Sequence, residues 1–287
     1  MIARMLDRLL GRDQGLQIDV PGIGAVDIAL HDVPDIWISD PIRRGDAYDP
    51  DTQALLQDMI LPGDTMLDIG ANIGWFTVVG SRLVGPRGRV VAIEPDPRNA
   101  RLLRRNVARN RCRNVTVHEV AAGAESCTAR LYRSDDNQGD HRLEVTSDRT
   151  EWVDVPVRPI DVLLARRPGS ADVIKIDTQG SEVAVLQGMQ ATLDRNPTAR
   201  IVLEFWPFGL ERCGTSVEAL LDLLTRRPVV MWLQRADGSM QRTGPEALLA
   251  LSRSEFAPHT ERHGDVAVIA AHDTATLGRI EARIAAH

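Results

Sequence analysis

The chain has 287 residues, of which 43% are apolar and 26% charged, a composition typical of one large α/β domain with an extension, or of two small domains. A net charge of −6 and a pI of about 5.7 provide no basic surface for a phosphate backbone, so we expect no nucleic-acid partner. The three cysteines lie far apart without paired spacing, which predicts neither a disulfide framework nor a zinc site, and we expect no bound metal.

The first 61 residues are predicted to form an extension (helix, hairpin, helix) that packs on the main domain. Residues 1–15 carry charges every few positions, which is typical of a short amphipathic helix and not of a signal peptide. Residues 16–30 alternate apolar and polar side chains around a Pro-Gly turn, which predicts a hairpin. Residues 51–60 predict a helix that Pro62 ends. Because no stretch has the length of a transmembrane helix, we expect a cytoplasmic protein without membrane contact.

From residue 62 to residue 287, short β-branched segments alternate with amphipathic helices. This alternation predicts an α/β domain with a doubly wound, mostly parallel, Rossmann-like sheet. The connection at about 125–160 is too long for a simple loop, and its two apolar segments predict an inserted β-ribbon. The predicted strands of the sheet are 65–70, 89–95, 115–121, 172–177, 200–206, 229–234 and 266–271, and the predicted helices are 73–84, 97–110, 181–194 and 216–227.

Acidic residues stand at the ends of three predicted strands: Asp68, Glu94 and Asp177. In a doubly wound sheet, ligands bind at the carboxyl ends of the strands. Glu94 follows Gly70 at close to the spacing of roughly 20 residues at which nucleotide-binding folds place an acid on the ribose hydroxyls. Its two carboxylate oxygens can accept both hydrogen bonds of a vicinal diol. The alternative for any single acid is a helix cap or a solvated loop residue.

The turn after the first of these strands indicates which nucleoside binds. It runs from Asp68 to Gly74 with the sequence DIGANIG, so an aspartate occupies the position of the first glycine of a dinucleotide fingerprint. A carboxylate there repels a diphosphate but suits a ligand with a cationic ammonium group. A ribose diol with a charged amino-acid tail and no phosphate describes S-adenosylmethionine. The alternative, a nicotinamide-dependent oxidoreductase, is disfavoured by the same aspartate.

Four segments in order, LDIGANIGWFT, GRVVAIEPDP, LLRRNVARNRCRNVTVHEVAAG and DVIKIDTQGSEVAVLQG, resemble successive motifs of the FkbM-type class I methyltransferases. The resemblance covers about residues 62–206, roughly half of the chain. It implies S-adenosylmethionine as methyl donor and a hydroxyl of a small molecule, a natural product or a sugar moiety, as acceptor. It also implies contacts to the methionine end, the ribose and the adenine edge from a set of ten residues: Asp68, Gly70, Ala71, Asn72, Gly74, Trp75, Glu94, Pro95, Val120 and Ala121.

The chain departs from the family after the fourth of these strands. Where the family usually has KIDVEGAE, this chain has Thr178-Gln179 between the matching Asp177 and Glu182. If the missing glutamate acts as a base or a metal ligand, that role is empty here. The alternative of a binding protein that retains the nucleoside pocket without catalysis therefore stays open.

The predicted tip of the inserted ribbon, residues 135–142, is expected to lean over the strand ends, although a solvated hairpin tip is the alternative. Asp177 and His141, which can titrate near neutral pH, are the predicted catalytic residues for removal of the acceptor proton. Lys175 shares a strand face with Asp177, so a structural ion pair is an alternative for both. His259 and His263 are interpreted as solvated, and an oligomer is compatible with the sequence. The predicted substrate contacts are Asn137, Asp140, Arg142 and Glu204.

Overall fold

The computed structural model describes residues 15–33, 35, 37–45, 48–134, 137–143, 149–165, 170–235, 238–256 and 263–285. The predicted N-terminal helix, Asp135 and Asp136 of the ribbon tip, and His259 lie outside these residues. None of the helices in the described part of the chain has the length and apolarity needed to cross a membrane.

The described part of the N-terminal extension begins with the predicted hairpin. Its strands are β1 (Leu16–Val20) and β2 (Gly24–Ile28), and the helices α1 (Ser39–Arg44) and α2 (Pro50–Met59) follow. Asn106 ties the hairpin to the main domain, because its side chain accepts a hydrogen bond from Ala29 N (2.7 Å) and donates to Ala29 O (3.0 Å) and Ile73 O (2.8 Å). The extension therefore packs against the turn that the sequence analysis singled out.

The main domain is built on an eight-stranded sheet. Its strands are β3 (Thr65–Ile69), β4 (Arg89–Ile93), β5 (Val115–His118), β9 (Val173–Ile176), β10 (Arg200–Phe205), β11 (Val229–Gln234), β12 (Met240–Thr243) and β13 (Gly264–Ala270). They lie in the order β12-β11-β13-β10-β9-β3-β4-β5. The neighbours from β10 to β5 in this order pair in parallel, and β13 runs antiparallel to its neighbours β10 and β11. This topology confirms the predicted doubly wound, mostly parallel sheet.

Helices cover both faces of the sheet. Along the buried strands, neighbouring residues contribute to opposite faces: Met66 and Val202 belong to one apolar cluster, and Leu67 and Ile201 to the other. This alternation explains why the central strands are apolar throughout. The helices of the main domain are α3 (Trp75–Val84), α4 (Pro97–Arg109), α5 (Ile160–Leu164), α6 (Glu182–Gln187), α7 (Gln190–Arg195), α8 (Pro207–Arg212), α9 (Val217–Leu224), α10 (Pro245–Ser254) and α11 (Thr274–Ala285).

Two predicted elements differ in the structure. The helix predicted over 181–194 is divided into α6 and α7 at Gly188, where an added Cβ would lie 2.0 Å from the carbonyl oxygen of Gly123. The helix therefore breaks where the backbone of another segment approaches closely. The strand predicted over 115–121 ends at His118, and its last residue joins a separate three-stranded sheet of β6 (Ala121–Ala122), β7 (Cys127–Tyr132) and β8 (Trp152–Arg158). Strands β7 and β8 are antiparallel and form the predicted ribbon.

Candidate functional site

A cavity of about 1130 Å³ opens at the carboxyl ends of β3, β4, β9 and β10. Strand order reverses between β3 and β9, which is the switch point where doubly wound sheets bind their ligands. Ligand pockets in proteins have volumes of about 300–1,000 Å³. The cavity is therefore large enough for a cofactor and an acceptor together.

The glycine turn after β3 follows a path that side chains would obstruct. Gly70 has φ +79°, and a Cβ added to it would lie 1.8 Å from the carbonyl oxygen of Asp177 at the end of β9. Asn72 also has a positive φ of 49°. Gly74 has φ +90°, and a Cβ there would lie 2.4 Å from a side-chain atom of Leu103 in α4. The glycines thus let the turn pass between β9 and α4 while its backbone forms the cavity wall.

Glu94 lies at the end of β4 and is only 4% exposed. Its Oε2 accepts a hydrogen bond from Asn72 N (2.8 Å), and its Oε1 accepts one from Asp96 N (2.9 Å). Burial raises the pKa of Glu94 to about 8, although these two backbone bonds lower it. Each carboxylate oxygen retains acceptor capacity toward the cavity. The position is compatible with the predicted contacts to a ribose diol.

The ribbon tip is held across the cavity by hydrogen bonds to its neighbours. The carbonyl oxygen of Gln138 accepts one from Asn72 Nδ2 (2.9 Å) and one from Asn99 Nδ2 (3.1 Å). Gln138 N donates to Asp35 Oδ1 (3.3 Å) in the N-terminal extension. The tip therefore connects the glycine turn, α4 and the extension, in agreement with its predicted position over the strand ends. Four predicted residues of the tip line the cavity: Asn137, Asp140, His141 and Arg142.

Asp177 stands opposite the tip, at the end of β9. Its Oδ2 lies 3.3 Å from Lys175 Nζ, and its Oδ1 accepts a hydrogen bond from Gln179 Nε2 (2.9 Å). The same Gln179 Nε2 donates to Glu204 Oε2 (3.0 Å) at the end of β10. The ion pair that the sequence left as an alternative is therefore present, and it orients Asp177 within the cavity wall. Gln179 occupies the position of the departure from the family pattern and joins the two carboxylates.

His141 differs from the expectation that it titrates near neutral pH. Burial lowers its pKa to about 4, which the attraction of Asp96 offsets only in part, and Arg133 and Arg149 lower it further. Its Nδ1 accepts a hydrogen bond from Ser134 N (3.3 Å). His141 is therefore neutral at pH 7 and a weak base.

Three predicted cofactor residues are not among the described residues that line the cavity: Asp68, Gly74 and Val120. Asp68 is fully buried and accepts a hydrogen bond from Thr77 Oγ1 (2.5 Å), so its carboxylate supports the turn from behind. Val120 packs against the core, and the wall predicted for the adenine edge is formed by Ala121 and Ala122. Other residues predicted to contact the cofactor or the substrate do line the cavity, among them Ala71, Trp75, Glu94, Pro95 and Glu204.

Sequence reasoning missed the contribution of the N-terminal extension and of β13. The cavity is also lined by Trp37, Tyr48 and Asp49 of the extension and by Asp265 of β13. The signal for Asp265 was an acid at the start of an apolar strand. The positions in the extension carried no comparable signal, because only the packing of the extension brings them to the cavity.

Comparison with known families decides between the enzyme classes that the sequence left open. Residues 68–228, more than half of the chain, match the family described as the methyltransferase FkbM domain. The chain belongs to the FkbM methyltransferase family. This result confirms the resemblance, makes S-adenosylmethionine the cofactor, and counts against a nicotinamide-dependent oxidoreductase.

Relatives of this FkbM-family chain are distant. A probable cobalt-precorrin-6B C(15)-methyltransferase (decarboxylating) of Sulfolobus acidocaldarius is 36% identical over 24% of this chain and 36% of that protein. A protein-L-isoaspartate O-methyltransferase of Aeropyrum pernix is 27% identical over 49% of this chain and 46% of that protein. The chain thus spans less than half of either curated relative. The crystal structure of precorrin-6y C5,15-methyltransferase from Geobacter metallireducens has a TM-score of 0.45 at 16% identity, covering 85% of this chain and 98% of that one.

The residues present in this FkbM-family chain fit S-adenosylmethionine. Gly70 lines the cavity without a side chain, so a ligand can approach its backbone there. Glu94 can accept hydrogen bonds from the ribose, and the small side chains of Ala121 and Ala122 offer an apolar wall for a base. The buried Oδ1 of Asp68 has no hydrogen-bond partner among the described residues but lies 3.9 Å from Lys175 Nζ, so Asp68 supports the turn and offers the cofactor no unpaired charge.

A first prediction concerns Glu94. At about pH 9, above the pKa of about 8 that burial gives Glu94, we expect Glu94→Gln to lower the affinity for S-adenosylhomocysteine, since each hydrogen bond to the ionised carboxylate contributes about 1.5–3 kcal/mol and the neutral amide loses that charge. Loss of one such bond corresponds to about ten- to a hundredfold in the dissociation constant. Isothermal titration calorimetry measures the effect, with Glu246→Gln, an exposed acid in the first turn of α10, as the matched control. Unchanged affinity in Glu94→Gln would exclude the ribose contact.

A second prediction concerns the pH dependence of stability. Burial raises the pKa of Asp265 to about 8, and repulsion by Asp49 adds to the effect. Because the native state binds this proton more tightly than the unfolded chain, its contribution is present at low pH and is lost as pH rises toward about 8. Each pKa unit is worth about 1.4 kcal/mol. The unfolding free energy of Asp265→Asn minus that of the parent should therefore rise by at least about 2 kcal/mol between pH 5 and pH 8.

Urea denaturation at a series of pH values measures this difference. Asparagine retains an acceptor for Thr52 Oγ1, which donates to Asp265 Oδ2 at 2.9 Å, so the substitution mainly removes the charge. Glu246→Gln should show no comparable trend. If the difference in unfolding free energy between Asp265→Asn and the parent does not change with pH, the raised pKa is contradicted.

Proposed function

We propose that this protein is an S-adenosylmethionine-dependent O-methyltransferase that acts on a hydroxyl of a small molecule, such as a natural product or a sugar moiety. One observation supports the proposal above all. A single cavity is lined by the glycine turn and Glu94 on one side and by the carboxylates Asp177 and Glu204 on the other. Donor and acceptor can therefore be held in contact at one place, with a carboxylate beside the acceptor.

The chain's own residues would hold the acceptor and remove its proton. When bound, S-adenosylmethionine supplies an activated methyl group on a sulfonium. Asp177 accepts the hydroxyl proton or orients the hydroxyl, while Gln179 and Lys175 fix the direction of its carboxylate. Because the donor is already activated, positioning and alignment of the acceptor account for most of the remaining reduction in activation free energy. In this proposal, the acceptor is contacted and water is excluded by four residues that line the cavity: Glu204 and the tip residues Asn137, Asp140 and Arg142.

We assign His141 to the cavity wall, in place of the predicted role as a base. A pKa of about 4 gives little driving force for proton abstraction at neutral pH. The acceptor is proposed as a small molecule and not a nucleic acid, since the chain carries a net charge of −6 and the acceptor side of the cavity is rich in carboxylates.

Labelled methyl transfer tests the proposal. The protein is incubated with isotope-labelled S-adenosylmethionine and a panel of sugars, phenols, aliphatic alcohols and an isoaspartyl peptide, and the products are identified by mass spectrometry. We expect a labelled methyl ether. If the labelled methyl group is found on the peptide carboxylate or on a carbon atom, the proposal of a hydroxyl acceptor is overturned. Binding of S-adenosylhomocysteine without any transfer would favour the alternative of a binding protein without catalysis.

A further inference from the structure

The ribbon tip brings two buried guanidinium groups onto one carboxylate. Arg142 donates from Nε to Asp140 Oδ1 (2.5 Å) and from Nη2 to Asp140 Oδ2 (2.8 Å). Arg149 Nη2 donates to the same Oδ2. The side chains of Arg142 and Arg149 are only 7% and 8% exposed, and within the described residues Asp140 is the ion-pair partner of both. These three side chains together therefore carry one excess positive charge.

The excess charge is one that a ligand anion can balance. Moving a guanidinium group out of water is unfavourable unless a negative charge compensates it, and one carboxylate balances only one of the two groups. Asp140, Arg142 and Arg149 all line the cavity. A bound molecule can therefore supply the missing negative charge there.

Both guanidinium groups retain hydrogen-bond donors that the described residues do not use. The side-chain hydrogen bonds of Arg142 start from Nε and Nη2, so its Nη1 has no partner among them. Nη1 is also not one of their polar atoms that are both unpartnered and fully buried, so it retains accessible surface. The same holds for Nε of Arg149, whose hydrogen bonds start from Nη1 and Nη2. Because both residues line the cavity, these donors are available to a bound ligand.

The fold holds the two guanidinium groups in place. The backbone N of Arg142 donates to Tyr132 O (3.0 Å), and its O accepts from Tyr132 N (2.8 Å). Its guanidinium lies 4.5 Å from the ring centroid of Trp206. Arg149 Nη1 donates to Tyr132 O (3.3 Å). Since binding to groups that are already ordered loses little conformational entropy, the cluster is preorganised for an anionic group.

The other carboxyls of the cavity cancel little of this charge at neutral pH. Asp177 is paired with Lys175 at 3.3 Å. Glu204 of β10 pairs in register with Asp265 of β13. Burial raises the pKa of Asp265 to about 8 and that of Glu204 well above its ordinary value, so both favour the neutral form at pH 7. Burial also raises the pKa of Asp49. An anion at the tip therefore meets little repulsion from these groups.

We propose that Arg142 and Arg149 form a subsite for a carboxylate of the methyl acceptor, with one carboxylate oxygen bound to Nη1 of Arg142. The acceptor class is therefore a hydroxy acid, such as a phenolic acid or a uronic acid. A carboxylate suits the cluster better than a phosphate, because one monoanion balances the single excess charge, whereas a phosphate dianion would leave an excess negative charge in the cavity. The inference rests on the proposed function and specifies its substrate.

Matched pairs of probes test the subsite. With the protein saturated in S-adenosylhomocysteine at pH 7, the dissociation constants of hydroxybenzoate and hydroxybenzamide, and of glucuronate and glucuronamide, are measured by ligand-observed NMR. Glucose phosphate is measured alongside them. We expect the carboxylate of each pair to bind at least about tenfold more tightly than the amide, the lower end of what a hydrogen bond to a charged group contributes. Glucuronate should also bind more tightly than glucose phosphate.

Substitutions of Arg142 separate the subsite from the structure of the tip. Arg142→Gln leaves one guanidinium on one carboxylate, so it should abolish the preference for the carboxylate of each pair. Arg142→Lys keeps the charge and should retain part of the preference. Arg253→Gln in α10, where Arg253 is 70% exposed and pairs with Glu218, is the matched control and should retain all of it. A purely structural role of Arg142 would instead weaken both members of a pair by the same factor.

The possible failures are distinguishable. Equal binding of carboxylate and amide to the parent, or no probe binding to a protein that binds S-adenosylhomocysteine, would overturn the subsite. Tighter binding of glucose phosphate than of glucuronate would overturn the assignment to a carboxylate. If labelled transfer succeeds only with neutral hydroxyl compounds, the proposed function stands and the carboxylate subsite does not. Failure to bind S-adenosylhomocysteine would count against the proposed function itself.

Discussion

Gly70→Ala should abolish measurable binding of S-adenosylhomocysteine and destabilise the fold by several kcal/mol. The new Cβ would lie 1.8 Å from the backbone carbonyl oxygen of Asp177, a contact that only movement of β3 or β9 can relieve. That movement displaces the glycine turn and Asp177 together. In addition, an alanine at φ +79° costs about 1–2 kcal/mol, because its Cβ approaches the following carbonyl oxygen.

Gly85→Ala is the matched control for this prediction. Gly85, which follows α3, has a φ of +66°, but a Cβ added to it meets no atom within 4 Å. Its ψ of −171° places it in a backbone region that is essentially restricted to glycine, so Gly85→Ala should lose only this backbone contribution of about 1–3 kcal/mol and bind S-adenosylhomocysteine normally. Urea denaturation and calorimetry of both variants provide the comparison. Equal destabilisation of the two variants, or normal binding of S-adenosylhomocysteine to Gly70→Ala, would contradict the prediction.

Asp177→Asn is expected to lower kcat for methyl transfer by about 10²–10⁴, the usual contribution of a positioned general base. Asparagine has nearly the same shape and can still accept the hydrogen bond from Gln179, so the cavity should persist. Affinity for S-adenosylhomocysteine should change little, since the proposed function assigns Asp177 to the acceptor and not to the donor. Steady-state kinetics with an acceptor identified by labelled transfer, together with calorimetry, measures the two effects separately.

His141→Ala is the informative comparison for Asp177. A buried histidine with a pKa of about 4 contributes little as a base, so its removal should lower kcat by less than about tenfold. If His141→Ala is as damaging as Asp177→Asn, the histidine takes part in proton removal as the sequence first suggested. Full turnover in Asp177→Asn would leave alignment alone as the source of catalysis.

The N-terminal extension is part of the site and not only a covering of the sheet. Asp35 accepts a hydrogen bond from the ribbon tip at Gln138, and Asp49 lines the acceptor side of the cavity. We therefore propose that acceptor specificity depends in part on this segment, which lies outside the family match at residues 68–228.

Local patterns in the sequence determined the elements and one half of the site. The hairpin, the parallel strands and the ribbon follow from apolar periodicity and turn residues, which act over a few neighbouring positions. The glycine turn and Glu94 were identifiable because their spacing along the chain reflects the geometry of a single strand-turn-helix unit. The family motifs are also local, and residues 68–228 carry them.

Only the tertiary structure decided the acceptor half. The opposition of Glu204 and Asp265 depends on the register between β10 and β13, which are about 60 positions apart in the chain. Asp49 and the ribbon tip reach the cavity because the extension packs against α4 and the tip bonds to Asn72 and Asn99. The low pKa of His141 likewise arises from burial by distant segments. Such long-range contacts and desolvation leave no periodic signal in the sequence, because they depend on which elements pack together and not on the spacing of neighbouring residues.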